Sequence, residues 1–244
     1  MSIYKTYNIS DILKNNEYAG RGIIIGTSQN GKNAVCAYFI MGRSENSRNR
    51  VFVKENGIIK TKPFDASKVS DPSLIIYNAV RESQDGIIVT NGDQTDTVFD
   101  LMNNGKSFKE ALKTRKFEPD APNFTPRISG ILYLKNSNNN FEYELSILKS
   151  IDEKGTDCCR YTYSYPSKAG LGHFIHTYNC NGNPLPTFTG EPQRININDD
   201  IKEFSNEIWE SLNINNKISL YVRYTDIETG EYTEEITNKN KENN

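Results

Sequence analysis

The chain has little of what would tie it to a membrane, a metal or a nucleic acid. No stretch approaches the roughly 18 to 20 consecutive apolar residues of a membrane helix. The opening MSIYKTYNISDILKNNEY has no apolar segment of the kind that secretion requires, so a cytoplasmic protein is expected. Lys and Arg number 29 against 31 Asp and Glu. No long-range positive field therefore exists to gather nucleic acid or an anionic membrane surface, and any anion site must be local. The four cysteines, Cys36, Cys158, Cys159 and Cys180, form no C-x-x-C, and an adjacent pair is a poor start for a zinc site or a disulfide framework. Reduced thiols are expected. The two histidines, His173 and His176, lie three apart in GLGHFIHTY. On a helix they would share a face, but Gly170, Gly172 and the aromatic flanks favour a strand or loop, where that offset points them to opposite faces. With no acidic or Cys partner nearby, packing or hydrogen bonding is favoured over metal ligation.

What is present reads as paired strands interrupted by amphipathic helices. Gly22–Thr27 (GIIIGT) and Val35–Met41 (VCAYFIM) flank SQNGKN, whose Asn30-Gly31 pair signals a hairpin. RVFVKENGIIKTKPF repeats the pattern around Asn56-Gly57, and DPSLIIYNAVRESQDGIIVTNG reads as a buried strand or turn followed by a strand ending at Asn91-Gly92. Two helices are then expected, Thr95 to about Asn104, closed by Gly105, and Ser107 to about Thr114, with Ser107 and Glu110 spaced as a capping box. Strands resume at ISGILYL, FEYELSIL, CRYTYSY and HFIHTYN. Ile201, Phe204, Ile208 and Leu212 stand at helical spacing in a third helix, and KISLYVRYTD with GEYTEEIT forms a last hairpin. The pattern is α+β: two packed, mainly antiparallel sheets covered by helices, in one domain over residues 1–237, with a disordered polar tail at 238–244. Tyr and Phe are spread over many strands and could furnish a homo-oligomer surface, which the sequence leaves open.

Four segments concentrate polar chemistry. GRSENSRNR follows a strand end and would present Arg43, Ser44, Ser47, Arg48 and Arg50 with backbone N–H groups, the parts that bind a phosphate dianion; a solvated turn has the same composition. IIYNAVR sets Tyr77 and Asn78 among apolar residues, where a tyrosine that only packs is the commoner case. TNGDQTDT brings Asn91, Asp93, Thr95 and Asp96 to a helix start, where such residues are ordinary caps. FEPDAPNFTPRI holds Glu118, Asp120, Asn123, Thr125 and Arg127 in a proline-stiffened loop, which fixes polar groups at little cost in ordering.

In order and wording, MGRSENSRNR, DPSLIIYNAVR, NGDQTDT and NFTPRI resemble the archaeal-type IMP cyclohydrolase family over roughly the first 135 residues. GLGHFIHTYNCNGNPLPTFTGEP is similar to an extension in bacterial relatives. The resemblance implies the four-layer αββα sandwich of N-terminal nucleophile hydrolases, without their nucleophile: Ser2 lies about twenty residues before Ile23, too early to open the first core strand. It implies closure of 5-formamidoimidazole-4-carboxamide ribonucleotide to inosine 5'-monophosphate with loss of water. No cofactor is implied, and the chemistry needs no metal. By matching positions, Arg50 is assigned to the phosphate or the developing oxyanion, Tyr77 to proton or hydrogen-bond donation at the formyl oxygen, and Glu118 to the general base, with Asp120 as its alternative. Arg43, Ser44 and Arg48 are phosphate candidates. Asn78, Asn91, Asp96, Asn123 and Arg127 are candidates for the rest of the substrate pocket. A catalytically silent nucleotide-binding protein and a related cyclic-amidine hydrolase are the alternatives.

Overall fold

The computed structural model describes residues 4–69, 76–134 and 141–240. Two one-turn helices, α1 (Ile9–Leu13) and α2 (Glu45–Arg48), flank the first hairpin, formed by β1 (Arg21–Thr27) and β2 (Asn33–Met41) with Ile23 opposite Tyr38. The second hairpin, β3 (Arg50–Glu55) and β4 (Ile58–Pro63), turns at Asn56 and Gly57, which have φ of 51° and 78°. Asn-Gly is the pair that adopts two positive φ values at least cost. β5 (Asn78–Glu82), β6 (Ile87–Thr90), β7 (Arg127–Tyr133), β8 (Glu142–Ser150) and β9 (Cys158–Pro166) each pair antiparallel with the strand before. The result is a seven-stranded meander from β3 to β9. β10 (Leu171–His176), β11 (Gln193–Asn196), β12 (Lys217–Asp226) and β13 (Tyr232–Asn238) join the first hairpin in a six-stranded antiparallel sheet ordered β11-β10-β1-β2-β12-β13.

Alternation along the strands divides the apolar residues among three layers. Ile23, Ile25, Tyr38 and Ile40 of one sheet meet Phe52, Val89, Ile128 and Leu145 of the other in the central core. The opposite side chains, such as Ile24 and Phe39, pack with Ile9 and Leu13 of α1 and with Phe204 and Ile208 of α5 (Ile201–Ser211). On the far side Ile88 and Ile131 take Val98 of α3 (Gln94–Asn103) and Phe108 and Leu112 of α4 (Phe108–Lys113). The order is helices, sheet, sheet, helices, as expected. Truncating a central residue such as Ile128 to Ala would cost about 2–5 kcal/mol.

The expected helix signals hold locally. The Ser107 Oγ accepts from Glu110 N at 3.2 Å while Glu110 Oε2 accepts from Ser107 N at 2.9 Å, so the capping box is complete. The expected strand or turn at 71–75 lies outside the described residues, as do Ser2 and residues 241–244. The polar segment at 238–244 was expected to be disordered from its start, but its first residues are paired. Asn238 ends β13, accepting from Phe52 N and donating to Phe52 O, both at 2.9 Å, and Lys239 N donates to Ile218 O at 2.8 Å. A side-chain amide thus ties the edge of the six-stranded sheet to β3 of the other.

Candidate active site

At one end of the space between the sheets, the inward-facing positions turn from apolar to polar. Arg21 opens β1 in phase with Ile23 and Ile25, and Arg50 opens β3 in phase with Phe52. Both are buried, Arg50 with no exposed surface at all. Arg50 Nε donates to Ser47 O at 2.7 Å and Nη2 to Ser47 Oγ at 2.9 Å, while Nη1 is buried without a protein partner. Burial, and then the neighbouring Arg21, lower the Arg50 pKa. For Arg21, burial also pulls down, but Tyr18, Glu118, Tyr178 and Tyr77 together carry it above the ordinary arginine value. Both guanidiniums act through their charge on Tyr38 and Tyr77, whose hydroxyls are 2.7 Å apart. The Tyr77 backbone is fixed by Thr61, which accepts from Tyr77 N at 2.8 Å and donates its own N–H to Tyr77 O at 3.0 Å.

The loop between α4 and β7 brings the acid. Glu118 is 2% exposed, and its backbone N–H donates to Thr125 O at 2.9 Å. Burial pushes its carboxyl up to about 7, against the downward pull of Arg21 and Arg127, with Asp120 adding to the rise. Gly92 leaves room for this approach: a methyl group there would stand 2.6 Å from Arg127 Nη1 and 3.6 Å from Glu118 Oε1. Asp120 accepts from Thr125 N at 2.6 Å and from the Thr125 hydroxyl, whose oxygen lies 2.6 Å from the Tyr178 hydroxyl. A cleft of ≈ 260 Å³ opens here, walled by Arg21 and Glu118 at its base and by Arg43, Ser47, Asn123 and Tyr178 around it. Tyr178 stacks on Tyr18 with ring centroids 5.8 Å apart.

The structure gathers some of the residues singled out from sequence and separates others. Arg50 is near enough to both Tyr77 and Glu118 for their charges to act on one another, but of the three only Glu118 lines the cleft. Arg43 and Ser44 reach the cleft, although Arg43 Nη1 donates to Asn181 Oδ1 at 2.9 Å and Gly182 O at 2.7 Å, and Ser44 caps α2 by accepting from Ser47 N at 3.1 Å. Asn123 lines the cleft, with its Oδ1 accepting from Leu185 N at 3.0 Å. Arg48 instead spans Gly42 O and Asn216 Oδ1, at 3.0 and 3.1 Å, on the outside of the turn. Asn78, the first residue of β5, turns away from Tyr77 and donates to both oxygens of Asp96, at 2.9 and 3.0 Å, beside Arg81. Asn78 and Asp96 therefore brace α3 against β5, away from the cleft. Asn91 is fully buried and bonded through both ends of its amide: Oδ1 accepts from Ile128 N and Gln94 Nε2, both at 2.9 Å, and Nδ2 donates to Pro126 O at 2.8 Å. Arg127 donates to Asp93 Oδ1 and Gln94 Oε1, both at 2.6 Å, and acts on Glu118 through its charge.

Arg21, Tyr18, Tyr38 and Tyr178 were not singled out. One signal was available for Arg21, a charge opening the strand RGIIIGT, which is buried throughout. The histidines do face opposite ways on β10. His173 Nδ1 is 2.6 Å from the Tyr143 hydroxyl on the inner side, and His176 Nδ1 is 2.8 Å from Tyr178 O on the outer side. Burial lowers both to about 4. All four cysteines are free. Among the described residues, no helix is long and apolar enough to cross a membrane.

The family described as IMP cyclohydrolase-like protein matches residues 18–231, which include every wall of the cleft. An IMP cyclohydrolase from Methanococcus aeolicus is 28% identical over 167 residues, covering 67% of this chain and 75% of the relative. IMP cyclohydrolases from Methanopyrus kandleri and Methanosphaera stadtmanae are 33% and 34% identical over 116 and 123 residues. These matches cover 46% and 48% of this chain and 57% and 59% of the relatives.

Proposed function

The chain belongs to the IMP cyclohydrolase-like protein family, and on that premise we propose that it closes 5-formamidoimidazole-4-carboxamide ribonucleotide to inosine 5'-monophosphate. The geometry that carries this reading is Glu118, whose carboxyl burial pushes up to about 7, in the wall of one cleft with Arg21, and behind that wall the buried Arg50 and the Tyr38–Tyr77 pair, close enough to act on it through their charge.

The carboxamide nitrogen is a poor nucleophile because its lone pair is delocalised, and the formyl carbon is only a modest electrophile. Holding the two in contact supplies up to about 7–11 kcal/mol in favourable cases. Glu118 takes a proton from the carboxamide nitrogen as it attacks the formyl carbon, and a carboxyl poised near 7 does so best at neutral pH. The carbonyl electrons pass to oxygen, which receives the Tyr77 proton in the field of Arg21 and Arg50. The hydroxyl then leaves as water with the proton stored on Glu118. The Tyr77 phenolate recovers its proton from the formamido nitrogen as the ring double bond forms. One water is lost and the enzyme is restored.

Arg50, with Nη1 unpartnered, is placed at the developing oxyanion, since a buried donor without a protein partner is satisfied there. Arg43, Ser44 and Ser47 are placed at the substrate phosphate, and Asn123 with Tyr178 around the base and ribose. Asp120, whose oxygens are occupied by Thr125, is left as a positioning group. The four free thiols support a cytoplasmic location.

The test is to add EDTA-treated protein to the formylated ribonucleotide and follow the ultraviolet change as the ring closes, with Arg50→Ala beside it. Turnover that drops by about 100-fold or more in the variant is expected. Tight binding of inosine monophosphate without turnover would instead mark a silent nucleotide-binding protein.

A further inference from the structure

Tyr38 lies at the middle of β2, the strand flanked by β1 and β12, and its side chain has no exposed surface. Its ring packs on Phe52 at 5.5 Å between centroids. Its hydroxyl makes one hydrogen bond, to Tyr77 at 2.7 Å. Geometry alone allows either oxygen to be the donor, but burial decides between them. If Tyr77 donated to Tyr38, the Tyr38 hydrogen would be left in a dry core with no acceptor, the more expensive arrangement. If Tyr38 donates, its hydrogen is satisfied and the Tyr77 hydrogen is left to point elsewhere. Tyr77 retains 6% exposure against none for Tyr38, and the guanidiniums near it, Arg21 and Arg50, donate but cannot accept, so its hydrogen is the one left for an acceptor that enters from outside.

We propose that Tyr38 is a positioning residue that donates permanently to the Tyr77 oxygen and thereby aims the Tyr77 proton at the substrate's formyl oxygen. The same bond steadies the phenolate formed once that proton has moved, because a donor already in place needs no reorganisation as charge develops. The proposal rests on the reading of Tyr77 as the proton donor. Tyr38 itself touches no substrate atom.

Tyr38→Phe keeps the ring and removes only the donor, so the Tyr77 proton is free to swing back toward the core. The expected result is a kcat lower by about tenfold, a KM within about twofold of wild type and unchanged affinity for inosine monophosphate. A purely structural role would disturb binding as well as rate. The Tyr77→Phe variant and the double variant complete the cycle. Tyr77→Phe is expected to lose about 100-fold, and adding Tyr38→Phe to it should change nothing further, since the first residue acts only through the second. Losses that multiply in the double variant, or Tyr38→Phe turning over at the wild-type rate while Tyr77→Phe is slow, would overturn the proposal. Tyr77→Phe at the wild-type rate would instead remove Tyr77 from the mechanism, and with it the ground on which Tyr38 stands. Should Tyr38→Phe fail to fold, para-aminophenylalanine at position 38, which retains a donor, is expected to restore most of the rate; a folded protein of this kind at one tenth of the rate or less would sink the idea.

Discussion

Replacing Glu118 by Gln should make the protein more stable and nearly inactive at the same time. Glu118 has an ordinary carboxyl value of 4.5 when unfolded and about 7 in the fold, where burial outweighs the attraction of Arg21, Arg127 and Arg50. Its folded value is raised, so the fully protonated state below pH 4.5 carries no penalty, and stability is lost as pH climbs from there through 7. At about 1.4 kcal/mol per pH unit, holding the charged form at pH 8 costs about 3 kcal/mol. Gln has the shape of the protonated acid and never ionises. Urea unfolding at pH 8 should therefore show the variant more stable by about 3 kcal/mol, a rise of roughly 6–12 °C in Tm for a chain of this size. At pH 4.5 the gap should shrink below about 1 kcal/mol. Turnover should fall by about 100-fold or more, since no base remains. A variant no more stable than wild type at pH 8 would show that the Glu118 site is wetter than its burial indicates. Its use as a base tuned to neutral pH would then fall.

The positive charge at the cleft base has its own signature. Arg21→Met removes the largest charge holding Glu118 down, so the acid limb of the kcat profile should move to higher pH; an unmoved limb would separate Arg21 from Glu118. Asp96→Asn weakens the bridge to Asn78 and Arg81 on the helix-covered face. It should lower stability by about 1 kcal/mol and leave kcat and KM within about threefold, whereas a large kinetic loss would return Asp96 to the site. Ser107→Ala should cost about 1 kcal/mol by denaturant titration through loss of the capping box.

The fold was legible wherever local chemistry and long-range packing agreed. The Asn-Gly turns, the buried runs beside them and the Ser107-Glu110 box each carry their reason within a few residues. The helices α1 and α2 span five and four residues, too short for an apolar period to show. The site was legible only in part, because side-chain alternation cuts across motifs. Tyr77 and Asn78 are neighbours in one recognisable segment, yet the first joins the core between the sheets and the second turns to α3. Arg48 and Arg50 part in a similar way at the end of α2. Arg21 and Tyr38, conversely, stand in apolar strands with no polar neighbour to mark them. Their meaning comes from Glu118 and Tyr77, which the fold alone brings near.

The amide of Asn238 gives the sandwich a sewn spine. Its two bonds to Phe52 fall two residues from Arg50, on the strand that this arginine opens. During synthesis on the ribosome, the strand bearing Arg50 emerges long before its fastening does. A chain cut short of residue 238 would keep Arg50, Tyr77 and Glu118 but lose the seam that fastens the strand Arg50 opens to the other sheet.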